Sequence, residues 1–193
     1  GETEAAVGEI ASQVAQRGGV EAFAERDLQS LLHQRTANLP EAEYLFIERE
    51  DGSLAADSNS PQTSPPAIGL HGHRKPAAMP PLLKEGVEIG SPARSPGTGQ
   101  WITPLSRQIF DPLGRYLGTA GAAMSHGYFE GVYRELELSP EDTILILHAS
   151  RAITLIRYPR ADGQIGTSVA DSPAIGADLQ RRSMIVTDAS GPD

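Results

Sequence analysis

The chain has 193 residues, room for one or two domains at ~150 residues each. Apolar residues make up 39% and aromatic ones only 5%, so a core must be built from Ala, Val, Ile and Leu. A net charge of −9 disfavours nucleic-acid and anionic-membrane partners, which need clustered cations, and the absence of cysteine excludes a disulfide scaffold, a thiol nucleophile and Cys-ligated metals.

The spacing of Val7, Ile10 and Val14 predicts an amphipathic helix over residues 3–17, stopped by Gly18-Gly19. A second helix is expected from an N-cap at Asp27, with Leu28, Leu31 and Leu32 on its buried side, ending before Pro40. Tyr44–Arg49, the turn Asp51-Gly52 and Leu54–Asp57 read as a β-hairpin. Residues 58–83 hold six prolines among Ser, Asn and Gly, which marks a long loop rather than a helix or a central strand.

Strand character returns at Val87–Pro92. Gln100–Phe110, the turn Asp111-Pro112-Leu113-Gly114, and Arg115–Ser125 then predict a long hairpin, with Pro and Gly where a type I turn favours them. Its second strand is rich in Gly and Ala, so a helix or a ligand is expected to pack closely there. Tyr128–Leu138 reads as a helix with Phe129, Val132, Tyr133 and Leu136 on one side. Thr143–His148 and Ile153–Tyr158 form another hairpin, a weak second copy of the one at Tyr44–Asp57. The second copy stops before a counterpart of the long hairpin, so it is expected to be incomplete.

Enzyme signatures are missing: there is no G-x-S-x-G elbow, no P-loop and no H-E-x-x-H motif. His71-Gly72-His73 is a metal-like pair that Asp57 or His126 would have to complete, which leaves a metal-dependent hydrolase a distant reading. Residues 51–110, with four acids and five bases, are the only non-acidic third of the chain. Their Arg74, Lys75, Arg94 and Arg107 suit carboxylate or phosphate recognition, the alternative being a solvated surface paired with the acidic N-terminal third. Trp101, the single tryptophan, either walls a ligand pocket or fills a core.

Several ordered motifs carry a family resemblance: Trp101–Arg107 (WITPLSR), Asp111–Gly118 (DPLGRYLG), Tyr128-Phe129, Arg157-Tyr158-Pro159 and Ile165-Gly166, with Leu39-Pro40 leading into the first hairpin. Together they resemble the double Cache sensor domains of bacterial signalling proteins, closest to those that precede GGDEF diguanylate cyclases and some histidine kinases. The resemblance implies an α+β fold. An N-terminal helical stalk (1–39) would lead into a membrane-distal PAS-like Cache module (40–126) with an antiparallel sheet, a connecting helix (127–138) and a truncated membrane-proximal module (139–193).

It further implies a periplasmic, extracytoplasmic location in an inner-membrane protein, tethering through membrane spans on either side of this segment, and a small-molecule ligand in the distal module. Neither an enzymatic activity of the domain itself nor a cofactor is expected. Members that bind amino acids or amines place an Asp late in the last strand of the first module. Here residues 121–125 read Gly-Ala-Ala-Met-Ser, and residues 70–83 offer His71, His73 and Arg74 in place of an aromatic-rich motif. Both departures turn the expectation from an amine toward a small anion. The candidate ligand-binding residues are His73, Arg74, Trp101, Thr103, Arg107, Met124 and His126, with no catalytic or metal-ligating residue. The alternative is an interaction module without a ligand that forms a homodimer through its N-terminal helix.

Overall fold

The computed structural model describes residues 1–59, 86–139, 142–148 and 152–168. The chain divides into two compact units, Gly1–Phe129 and Glu130–Asp193.

In the first unit, helix α1 (Glu2–Gln16) buries Ala6, Val7, Ile10, Ala11 and Val14 along one stripe. Glu2 and Glu4 occupy its first turn, where negative charge suits the helix N-terminus. It ends as expected: Gly18 takes φ +91°, and the Gly18 and Gly19 amides return to the carbonyls of Ala15 and Val14 at 3.0 Å. Helix α2 (Glu25–Thr36) starts earlier than Asp27. Ala24 holds the cap position without a side-chain cap, and Asp27 lies in the first turn, where its charge still favours the helix dipole. Leu28 and Leu32 are buried, and Leu31 is half-buried.

The sheet is antiparallel: β1 (Ala42–Glu48), β2 (Leu54–Asp57), β3 (Glu88–Ile89), β4 (Ala93–Arg94), β5 (Trp101–Phe110) and β6 (Tyr116–Ser125), in the order β2-β1-β6-β5-β3, with β4 also pairing β5. The Val87–Pro92 run thus yields the two-residue β3, and β4 begins just after it, at Ala93. The DG turn closes β1–β2: Gly52 has φ +82°, its amide reaches the Arg49 carbonyl at 3.0 Å, and Asp51 Oδ1 accepts from the Ser53 amide at 2.9 Å. At the β5–β6 turn, Asp111 Oδ1 accepts from the amides of Leu113 (2.9 Å) and Arg115 (2.8 Å), which pulls its carboxyl below the usual range.

Strand alternation gives the sheet two unlike sides. One is covered by α1 and α2, whose Val7, Ile10, Val14, Leu28 and Leu32 pack with Leu45, Ile47, Ile109, Ala120 and Ala122. Each buried Val, Leu or Ile among them is worth about 1.5–3 kcal/mol. The other side carries a smaller apolar group, Tyr44, Phe46, Ile102 and Ala123.

The small residues of β6 are explained by both sides. Ala120 and Ala122 meet the helices. A Cβ on Gly121 would lie 2.3 Å from Phe46 Cζ and 2.8 Å from the Leu105 carbonyl oxygen. The close neighbour at that glycine is therefore an aromatic ring of the sheet itself, neither the helix nor the ligand expected from sequence. Gly118, at φ +136°, leaves room for the Glu48 carbonyl oxygen, which a Cβ would approach to 2.3 Å.

Helix α3 (His126–Arg134) follows β6 directly and is shorter than the helix expected over 128–138. The second unit contains a two-stranded hairpin, β7 (Ile144–Leu147) with β8 (Thr154–Tyr158), in which Ile146 faces Ile156. Leu155, Ile156 and Ile165 are buried. Within this unit Tyr133 meets Tyr158 edge-on at 6.1 Å, and Arg160 reaches Glu130 at 3.6 Å.

Candidate functional site

Cross-strand partners share a side of a sheet, so the register aligns polar residues in rows on the side away from α1 and α2. One row is Glu48–Thr119–Gln108 across β1, β6 and β5. The next is Asp57–Phe46–Gly121–Ser106 across β2, β1, β6 and β5, and beyond it lies Tyr44 opposite Ala123. Among these, Tyr44, Glu48, Asp57, Ser106 and Thr119 are all buried, none more than 6% exposed.

A buried polar group is costly unless bonded. Tyr116 Oη and Thr119 Oγ1 satisfy each other at 2.7 Å, and Asp57 Oδ1 accepts from the Asn59 amide at 2.9 Å. Tyr44 Oη and Gln108 Oε1 are buried without a hydrogen-bond partner among the described residues.

The titratable groups of this side are acidic, and burial favours their neutral forms. Burial raises the Glu48 carboxyl to about 7 and also pushes Asp57 up. Burial, reinforced by the charges of Glu43, Asp57 and Glu48, raises the Tyr44 phenol well above its ordinary value. Glu43, at the irregularity between Ala42 and Tyr44, has partners of its own: Ser95 Oγ and, at 3.0 Å, Thr98 Oγ1 both donate to its Oε1.

The described residues among those expected from the sequence stand outside these rows. Trp101, Thr103 and His126 do come together at one end of the β5–β6 pair, because the hairpin register sets Ile102 opposite Ser125. Thr103 Oγ1 and His126 Nε2 share a hydrogen bond at 2.9 Å, and His126 stacks on Trp101 with ring centroids 6.3 Å apart. The Arg94 guanidinium lies over Trp101, 4.3 Å from the ring centroid. Met124 pairs with Thr103 and packs on the helix-covered core.

Arg107 faces α1 instead. It lines an open cleft of about 640 Å³ with Gly1, Glu4, Gly8, Glu9 and Ser12, and its Nη1 would stand 3.1 Å from a Cβ on Gly8. His73 and Arg74, with His71 and Lys75, lie outside the described residues. Among the described residues no group of three His, Asp or Glu side chains is placed to hold a metal ion, and no helix is long and apolar enough to cross a membrane.

No protein-family model and no curated protein sequence matches the chain. Its fold does match solved structures. The extracellular domain assigned to the histidine kinase rpHK1S-Z16 superposes with a TM-score of 0.66 at 22% identity, over 90% of this chain and 68% of that one. An extracellular ligand-binding receptor from Desulfohalobium retbaense gives 0.64 at 13% identity, over 95% of this chain and 31% of that one. The ligand-binding domain of the Pseudomonas aeruginosa amino-acid chemoreceptor PctB, in complex with L-Arg, gives 0.59 at 13% identity, over 86% of this chain and 65% of that one. The fold is that of extracellular sensor domains, Cache-like as the sequence motifs imply.

Proposed function

We propose that the chain is an extracytoplasmic ligand-sensing domain of a bacterial transmembrane signalling protein, a histidine kinase or a diguanylate cyclase. In this reading residues 40–126 form the membrane-distal, small-molecule-binding module of a periplasmic region, and residues 139–193 the start of the membrane-proximal one. The domain works by binding, and catalysis belongs to an output domain beyond this segment. The observation that carries the reading is the side of the sheet away from α1 and α2. It holds buried polar groups, including a Tyr44 hydroxyl without a partner among the described residues, in a fold shared with extracellular sensor domains. A structural sheet gains nothing from such groups, whereas a ligand site uses them.

Trp101, Thr103 and His126 serve this reading as the coupling. They tie β5 to the first residue of α3, so a ligand that favours one arrangement of β5 and β6 also biases the start of that helix. Only a difference in affinity between two arrangements can do so. The test is calorimetry of the purified chain against a broad panel of organic acids, amines, sugars and nucleosides. One saturable ligand at one-to-one stoichiometry is expected. A chain that binds no member of any class, yet dimerises reversibly, would instead be the interaction module.

A further inference from the structure

We infer that the cleft between α1 and β5 is a binding site for a small monocarboxylate, held by the Arg107 guanidinium with the side-chain amides of Gln13 and Gln16 beside it. The site is on the helix side of the sheet, apart from the polar rows, and is a second one beside the sensing site proposed above. Its placement follows from the register. Arg107 pairs with Ala120, which belongs to the helix-covered core, so the arginine leaves β5 toward α1. The β3 register runs to Ser106, one residue short of Arg107.

Of the described arginines on the sheet and its turns, Arg49 donates to Glu21, Arg115 donates to Asp111, and Arg94 lies over Trp101. Arg107 does nothing of the kind. Its half-buried guanidinium has no hydrogen-bond or ion-pair partner among the described residues, and it opens on the cleft of about 640 Å³. A Cβ on Gly8 would stand 3.1 Å from Arg107 Nη1, so the guanidinium rests against bare helix backbone. Glycine inside a helix costs stability relative to alanine, and the space it leaves here seats a cation that no described group engages.

The donors of the cleft fix the chemistry of its ligand. Ser12 Oγ spends its proton on the Gly8 carbonyl at 2.9 Å, which leaves Arg107, Gln13 and Gln16 as the side-chain N–H donors. A guanidinium fork suits carboxylates and phosphates alike. Glu4 and Glu9, on the same cleft, decide between them. Arg35 holds Glu9, the amino group of Gly1 holds Glu4 at 3.2 Å, and both carboxylates are more than half exposed. They tolerate one negative charge at Arg107 and repel a second one on the same ligand.

The test is calorimetry and thermal unfolding of the purified chain, at fixed pH and ionic strength, with butyrate, butyramide, succinate and inorganic phosphate. Butyrate should raise the melting temperature saturably and bind more tightly than the other three. Arg107→Gln should weaken the butyrate dissociation constant at least about tenfold, as expected for a lost charge-assisted pair. Arg107→Lys, which keeps the charge without the fork, should recover only part of that loss. Gly8→Ala should weaken binding severalfold by displacing the guanidinium, while the free chain unfolds no earlier than before.

Butyramide binding as tightly as butyrate would overturn the inference, since it has the shape without the charge. Tighter binding of phosphate or succinate would overturn the assignment to a single carboxylate. So would butyrate affinity unchanged in Arg107→Gln, binding of none of the four probes, or an Arg107→Gln effect on self-association alone.

Discussion

The two sides of the six-stranded sheet differ in kind. The side under α1 and α2 is aliphatic, filled by Val7, Ile10, Val14, Leu28 and Leu32 against Leu45, Ile47 and Ala122. The other is built around one aromatic pair, Tyr44 and Phe46, with ring centroids 6.3 Å apart, and interleaves it with Glu48, Asp57, Ser106 and Thr119. Both sides are buried, so burial alone does not separate them. Chemistry does: the first side is stabilised by the area it removes from water, while the second keeps polar groups dry against their hydration cost. Aliphatic packing is concentrated on one side and buried polar groups on the other.

The contrast can be broken most directly on the aliphatic side. Ile10, 1% exposed at the centre of the α1 stripe, should lose about 2–5 kcal/mol of unfolding free energy on Ile10→Ala, read from denaturant titration. A loss below about 1 kcal/mol would mean that the helices do not carry the core.

On the polar side the largest effect should be one of pH. Glu48 titrates at about 7 in the folded state against 4.5 when unperturbed. Between those values the folded chain holds a proton that the unfolded chain has released, so stability should fall as pH rises through this window, by on the order of 3 kcal/mol, and level off above it. Glu48→Gln, which keeps the neutral form's shape, should flatten that slope. An unaltered slope would place the titration on another group.

Gly121→Ala should cost about 1–3 kcal/mol by forcing Phe46 off β6. Adding Phe46→Leu should recover part of that loss, whereas strictly additive effects would show that ring and glycine are not coupled. The smallest effect should come from Tyr44→Phe without ligand. Removing a buried, unpartnered hydroxyl should shift stability by no more than about 0.5 kcal/mol or raise it slightly. A loss well above that would reveal a partner the hydroxyl does have.

Much of this fold was legible from local signals. Asp51-Gly52 and Asp111–Gly114 named two turns of the sheet, and Val7, Ile10 and Val14 named the stripe of α1, because turn chemistry and helical period are written within a few residues. The candidate site was less legible. Glu48, Thr119 and Gln108 form a row only because β1 pairs with β6 and β6 with β5, and cross-strand order is a property of the whole chain. The alternation in Tyr44-Leu45-Phe46-Ile47-Glu48 was the available hint: its odd members are aliphatic and its even members aromatic or acidic. Arg107 is the converse case, since composition counts it among the cations of the middle third without saying which side of β5 it occupies.

The lengths of the strands have a consequence for solubility. The inner strands β5 and β6 each run ten residues, whereas β2 has four and β3 and β4 have two apiece. An intruding chain grows a sheet by finding a long row of unpaired amides, and the outer strands described here are too short to supply one. Two brief strands along one flank and one clipped strand along the other act as selvedges. They close the weave where they pair, so Trp101–Ile102 and Leu105–Ser106 of the long central hairpin offer no free edge to a neighbouring molecule.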